Sequence, residues 1–163
     1  MNYFIDYLYK MKTTKKNGLR KTKTRKVSIS TKSKSDFEKE ITKVFLEMIL
    51  MIKLWHWKTH SYATHKATDD LYSNLNKSMD TFIEVLLGKT NVRIDLTKQK
   101  SLPLFDFTNV NAFKNKIDWF KSYLVALDTN PFMKKMSNSD LYNIRDEILA
   151  NLNQFLYLLT FTR

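Results

Sequence analysis

Three histidines, His56, His60 and His65, stand within ten residues, and the chain has no others. Acids follow at Asp69, Asp70, Asp80 and Glu84. Imidazole nitrogen with carboxylate oxygen suits Fe(II), Zn or Mn, and carboxylate-rich sites with open positions suit iron redox chemistry. On an α-helix, Asp69, Asp80 and Glu84 fall about 40°, 60° and 100° around the axis from His65, so the four share one stripe. Along the axis, however, His65 and Asp80 are roughly 22 Å apart. One ion with ligand distances near ~2 Å cannot be held by both in a single chain. A second copy of the helix, antiparallel across a two-fold axis, would set Asp80 and Glu84 of one copy opposite His65 and Asp69 of the other. The residues therefore call for a homodimer before they can form a site.

Taken singly, each residue also has a plainer role. Acids near a helix start are favoured by the dipole, Asp80 can form a solvated pair with Lys77, and a histidine at a helix end serves as a cap or hydrogen-bond partner. Glu84 is the most telling, because Phe82-Ile83 and Val85-Leu86-Leu87 flank it and an acid on apolar surface is costly unless paired or metal-bound. Arg145-Asp146-Glu147 offers a second ligand pair. Its better reading is a salt-bridged patch that fixes helix register, since the Arg supplies the partner.

Helices must position these groups. Two Gly and two Pro in 163 residues are too few for many tight turns, and the expected class is all-α. Ser35-Asp36-Phe37-Glu38 reads as a capping box. From it Phe37, Ile41, Val44, Phe45, Met48, Ile52 and Trp55 recur at helical steps. The run "FLEMILMIKLWHW" is apolar almost all round, which suggests a second buried face at a subunit interface. A second helix is expected over 62–87, ending at Gly88 as its C′ residue, and a third over 111–127. The last starts near Ser137, with Asp140 in its first turn. Residues 89–109 have no helical period, so the pattern is four helices with a long second connection, as in ferritin-like bundles; a plain up-down bundle would have short connections throughout. The aromatics Tyr142, Phe155, Tyr157 and Phe161 read as core.

The formal charge of +12 lies almost wholly in a tail. Tyr7 to Ser35 holds eleven Lys/Arg and no acid, against seventeen Lys/Arg and fifteen Asp/Glu from Asp36 onward. Residues 1–34 are expected to be a basic arm, disordered when alone, ahead of a bundle over 35–163. Lys15, Lys16, Arg20, Lys21, Lys23, Arg25 and Lys26 would neutralise phosphates of DNA or another polyanion without reading sequence; a solubilising leader is the plainer account. The aromatic stretch at 2–9 has no physical explanation in the sequence. There is no Cys, hence no disulfide frame, thiolate zinc site or Cys nucleophile. No nucleophile elbow, Walker loop or Rossmann glycine motif is present. No apolar run reaches the ~20 residues of a membrane span, and the N-terminus makes a poor signal peptide, so an intracellular setting is expected.

From Trp55 to Gly88 the pattern is familiar. His-Trp at 56–57, His65, Asp69, Leu71-Tyr72, Asp80 and Glu84 resemble the ferroxidase segment of the Dps-like miniferritins. The resemblance implies an iron site in which His56, His65 and Asp69 come from one subunit and Asp80 and Glu84 from its two-fold partner, with oxidation of iron by peroxide or oxygen. It also implies a Lys-rich arm that condenses DNA, as some members have. The family's longer connection between the two histidines, with its Gly-Pro turn, is shortened here, and His60 lies four residues after His56. The segments "HSYATHKATDDLY" and "DLYNIRDEILANLNQFLYLL" look like an uncharacterised ferritin-like family of large DNA viruses and phages. That second resemblance implies a rival: a non-enzymatic viral or phage structural or DNA-packaging protein with a degenerate site, found in the virus factory or virion.

Overall fold

A computed structural model describes residues 34–135 and 137–161. They contain four α-helices and no strand: α1 (Lys34–Lys58), α2 (Tyr62–Thr90), α3 (Val110–Ala126) and α4 (Ser139–Leu158). The all-α class read from composition is what the chain adopts, and the apolar periodicity finds the same helices. The basic arm, with Lys15, Lys16, Arg20, Lys21, Lys23, Arg25 and Lys26, and the aromatic stretch at 2–9 lie outside the described residues.

Polar side chains set the starts of the middle helices. The Ser61 hydroxyl accepts the Thr64 N–H at 3.2 Å, and the Asn109 carboxamide oxygen accepts those of Asn111 and Ala112 at 2.8 and 3.1 Å. Each cap satisfies N–H groups that the first turn leaves without carbonyl partners. Three termini differ from expectation. α1 already includes Lys34, and Glu38, instead of reaching back as a capping-box acid, is buried with neither carboxylate oxygen bonded among the described residues. α2 runs through Gly88 and stops at Asn91, whose left-handed φ of 53° closes it; Asn tolerates that region through its short polar side chain. α4 begins at Ser139 rather than Ser137. Asn138 at its start is buried and donates to the Met133 carbonyl at 2.5 Å.

α2 is the central packing element, lying chiefly on α4 and on α1, while α3 packs on α4 and more lightly on α1. The consecutive helices α2 and α3 form no comparable face. Phe82, Phe113, Phe120 and Phe155 are among the largest fully buried side chains. Phe113 joins several elements, stacking on Trp55 of α1 at 4.4 Å and meeting Phe155 of α4 edge-on at 6.1 Å. Tyr157 and Phe161 depart from the core reading. They are 62% and 64% exposed and pack on each other, because they point away from the face that buries Phe155 and Leu159.

Two ionic clamps hold the first half of α4. Buried Arg145 pairs with Asp146 at 2.8 Å and with Asp128 of the preceding 3₁₀ turn, and its guanidinium lies over Tyr142. The salt-bridge reading of that acidic pair is thus the one adopted for Asp146; Glu147 is exposed. At the other helix junction Lys89 of α2 meets Asp140 at 2.9 Å and the Ser137 carbonyl at 2.6 Å. The Lys89 hydrogen bond holds the Asp140 carboxyl below its ordinary range. A carboxylate depressed on folding contributes stability above its unfolded pKa and loses it as pH falls through the folded one. Melting of Asp140→Asn should therefore lie below wild type at pH 7, and the gap should narrow as pH falls below the ordinary carboxylate range.

Lys116 of α3 shows how the connection between α2 and α3 is fastened. Its ammonium sits 3.7 Å from the ring centroids of Phe105 and Trp119. Burial pushes its pKa down against the opposing pull of Glu47, whose own pKa burial pushes up. Aromatic faces stabilise such a partly desolvated cation.

Candidate metal centre

His56 and His65 meet across the turn between α1 and α2. Their rings stack with centroids 4.0 Å apart and 25° between planes. Each Nδ1 is 3.2 Å from the other residue's backbone carbonyl oxygen. A carbonyl only accepts, so each Nδ1 carries the hydrogen, and in the neutral rings each Nε2 keeps its lone pair. Histidines that bind metals are fixed in the same way, the far nitrogen donating to a carbonyl or carboxylate. The short connection thus brings the two histidines together without a Gly-Pro turn, Ser61 supplying the helix start.

Asp69 lies nearest to His56. Its Oδ1 is 4.0 Å from His56 Nε2, too long for a hydrogen bond. The gap nearly matches two metal–ligand bonds of about 2.0–2.2 Å placed end to end. His56 is buried, while His65 and Asp69 are partly covered. No three His, Asp or Glu side chains converge on one point among the described residues.

Asp80 and Glu84 lie further along the unbroken α2 and are both exposed. The desolvation argument for Glu84 therefore does not hold within one chain: Phe82 is buried, but Glu84 points off the opposite side of the helix. No ion pair joins Asp80 to Lys77 among the described residues. Asp80 borders a groove of about 190 Å³ between α1 and α2 that also includes Leu46, Ile49 and Ile83. Leu46, Leu50 and Trp57 of α1 are exposed at 44%, 38% and 68%, so this side carries an uncovered apolar stripe. His60, the alternative to His56, is exposed and away from the ring pair.

The reciprocal carbonyl bonds are what sequence reasoning missed. Nothing in residue spacing encodes them, because they depend on how tightly the turn closes. They also give the pair a structural role: His56→Phe would keep the ring contact and remove one hydrogen bond, at an expected cost of about 1 kcal/mol measurable by urea unfolding.

The chain belongs to a family described as a family of unknown function, DUF5856, whose model matches residues 56–159. The match begins at His56 and takes in the ring pair, all of α2 and α3, and nearly all of the helical unit after α1. No curated protein matches the chain, and no solved structure does.

Proposed function

We propose that the chain is a ferritin-like protein that works as a two-fold dimer and takes Fe(II) as its substrate, binding and oxidising it between subunits. His56, His65 and Asp69 of one protomer and Asp80 and Glu84 of the other are the ligands. The observation that carries this reading is the tautomer lock on His56 and His65, which leaves both Nε2 lone pairs unused by the clasp, that of His56 4.0 Å from an Asp69 oxygen. Exposed Asp80 and Glu84 on the same helix support it, being free to serve a second copy. The uncovered stripe of Leu46, Leu50 and Trp57 supports the dimer.

The helix order supports a ferritin-like bundle. With α2 against α4 and α3 against α1, the consecutive pair α2 and α3 lies across a diagonal, and residues 91–109 are the long crossover that such a path needs. In this reading the histidines and carboxylates hold and position the ion, and the acids compensate the charge gained on oxidation. Oxygen or peroxide takes the electron. The basic arm, through Lys15, Lys16, Arg20, Lys21, Lys23, Arg25 and Lys26, binds DNA by releasing its counterions.

Anaerobic Fe(II) titration of the folded dimer tests the site, with saturable binding expected and a flat titration fatal to it. Deleting residues 1–34 should weaken DNA binding and flatten its salt dependence; an unchanged salt slope would remove the arm from the proposal. A structural, DNA-packaging role is favoured by one observation, that the His56–His65 pair is already satisfied as a clasp between helices. In that case DNA binding survives and no metal binds.

A further inference from the structure

The end of the bundle where α1 turns into α2 carries a solvent-open pocket of about 440 Å³, the size of many small-molecule sites. Its walls are apolar. Trp55 lies flat on Phe113, and Phe107, Val110 and Leu159 close the sides. Among the polar side chains around it Lys58 and His60 offer N–H groups, and Thr59, Ser61, Thr64 and Thr108 offer hydroxyls that donate or accept. No carboxylate lines it among the described residues. The indole N–H of Trp55 is closed off from solvent and has no acceptor among the described residues, so Trp55 offers the cavity its ring and not its N–H.

Lys58 already shows what it prefers. Its ammonium meets the Asp106 carboxylate at 2.8 Å, in a pair that is largely exposed. Such a pair holds its partner weakly, so one carboxylate can replace another at little cost. Asp106 is next to Phe107 in the chain, at the mouth of the cavity.

The geometry points to a binding site for a small organic acid with a flat apolar body, its ring against Trp55 and Phe107 and its carboxylate on Lys58 and His60. It is independent of the iron reading, since neither His56 nor His65 lines the cavity.

The test uses the full chain and 2-naphthoate, followed by tryptophan emission and by amide shifts of residues 58–61. Saturable one-to-one binding is expected, with the neutral 2-naphthamide about tenfold weaker because it lacks the charge-assisted hydrogen bond. Lys58→Met should weaken naphthoate about tenfold and leave naphthamide nearly unchanged, and Asp106→Asn should tighten naphthoate. Val110→Trp, at the exposed first residue of α3, should block both by filling the cavity. Unsaturable binding, or equal affinity of acid and amide for wild type and Lys58→Met, overturns the proposal. Melting curves check that the variants fold; if Val110→Trp does not, the acid–amide split in Lys58→Met decides alone.

Discussion

Chains carrying His65→Ala and chains carrying Glu84→Ala should each fail to hold Fe(II), and refolding the two together should restore about a quarter of the wild-type sites. The recovery follows from the proposed two-fold arrangement. A mixed dimer pairs the intact His56, His65 and Asp69 of one chain with the intact Asp80 and Glu84 of the other, making one good site and one doubly damaged one. Random association puts about half the dimers in the mixed class, and each has one of its two sites. A site built within a single chain would show no recovery at any mixing ratio. Anaerobic titration with a dimer-mass measurement reads the result, and zero recovery from well-folded mixed dimers would refute the inter-subunit site. Glu84 is suited to this test because it is exposed, so its truncation leaves the protomer's packing alone.

The largest effect on stability is expected from Phe113→Ala, at about 3–5 kcal/mol. Phe113 is fully buried and touches α1 through Trp55, α4 through Phe155 and the connection before α3 through Phe107. Truncation opens a cavity walled by three elements, none of which can collapse into it without dragging a helix along. That loss is a large part of the roughly 5–15 kcal/mol by which domains are stable. Urea unfolding should show a lower midpoint with an unchanged slope. Val125→Ala on the same helix is 54% exposed and should stay within about 0.5 kcal/mol of wild type. Equal costs at the two positions would mean that Phe113 does not join the elements as described.

The four helices were legible because their apolar residues recur at helical steps, and burial follows that pattern closely: Ile41, Met48 and Ile52 on α1, Leu75 and Phe82 on α2, Ile117 and Phe120 on α3 are all fully buried. The ends were less legible. A glycine at 88 and a serine at 137 are competent terminators, but the chain uses Asn91 and Asn138 instead, because Lys89 on the extra turn of α2 is held by Asp140 and the Ser137 carbonyl and Asn138 has a carbonyl to serve inside the 3₁₀ turn. Apolar neighbours also misled at Glu84, Tyr157 and Phe161. Sequence context reports what lies next along the chain, whereas exposure depends on which face of the helix its neighbours cover. Asp69, by contrast, shares the face of His65 for a reason the periodicity captures, since i and i+4 positions align on any helix.

α2 runs without a break from Tyr62 to Thr90 and carries four of the five proposed donors, all but His56. It therefore acts as a ruler. Two symmetric centres built on paired copies of it would stand roughly 22 Å apart, the axial distance between its histidine end and its acidic end. That spacing is well over twice the ~8 Å over which salt screens charge at physiological ionic strength. Loading one centre would leave the affinity of the other untouched, and Fe(II) binding should follow a simple hyperbola with a Hill coefficient of about one.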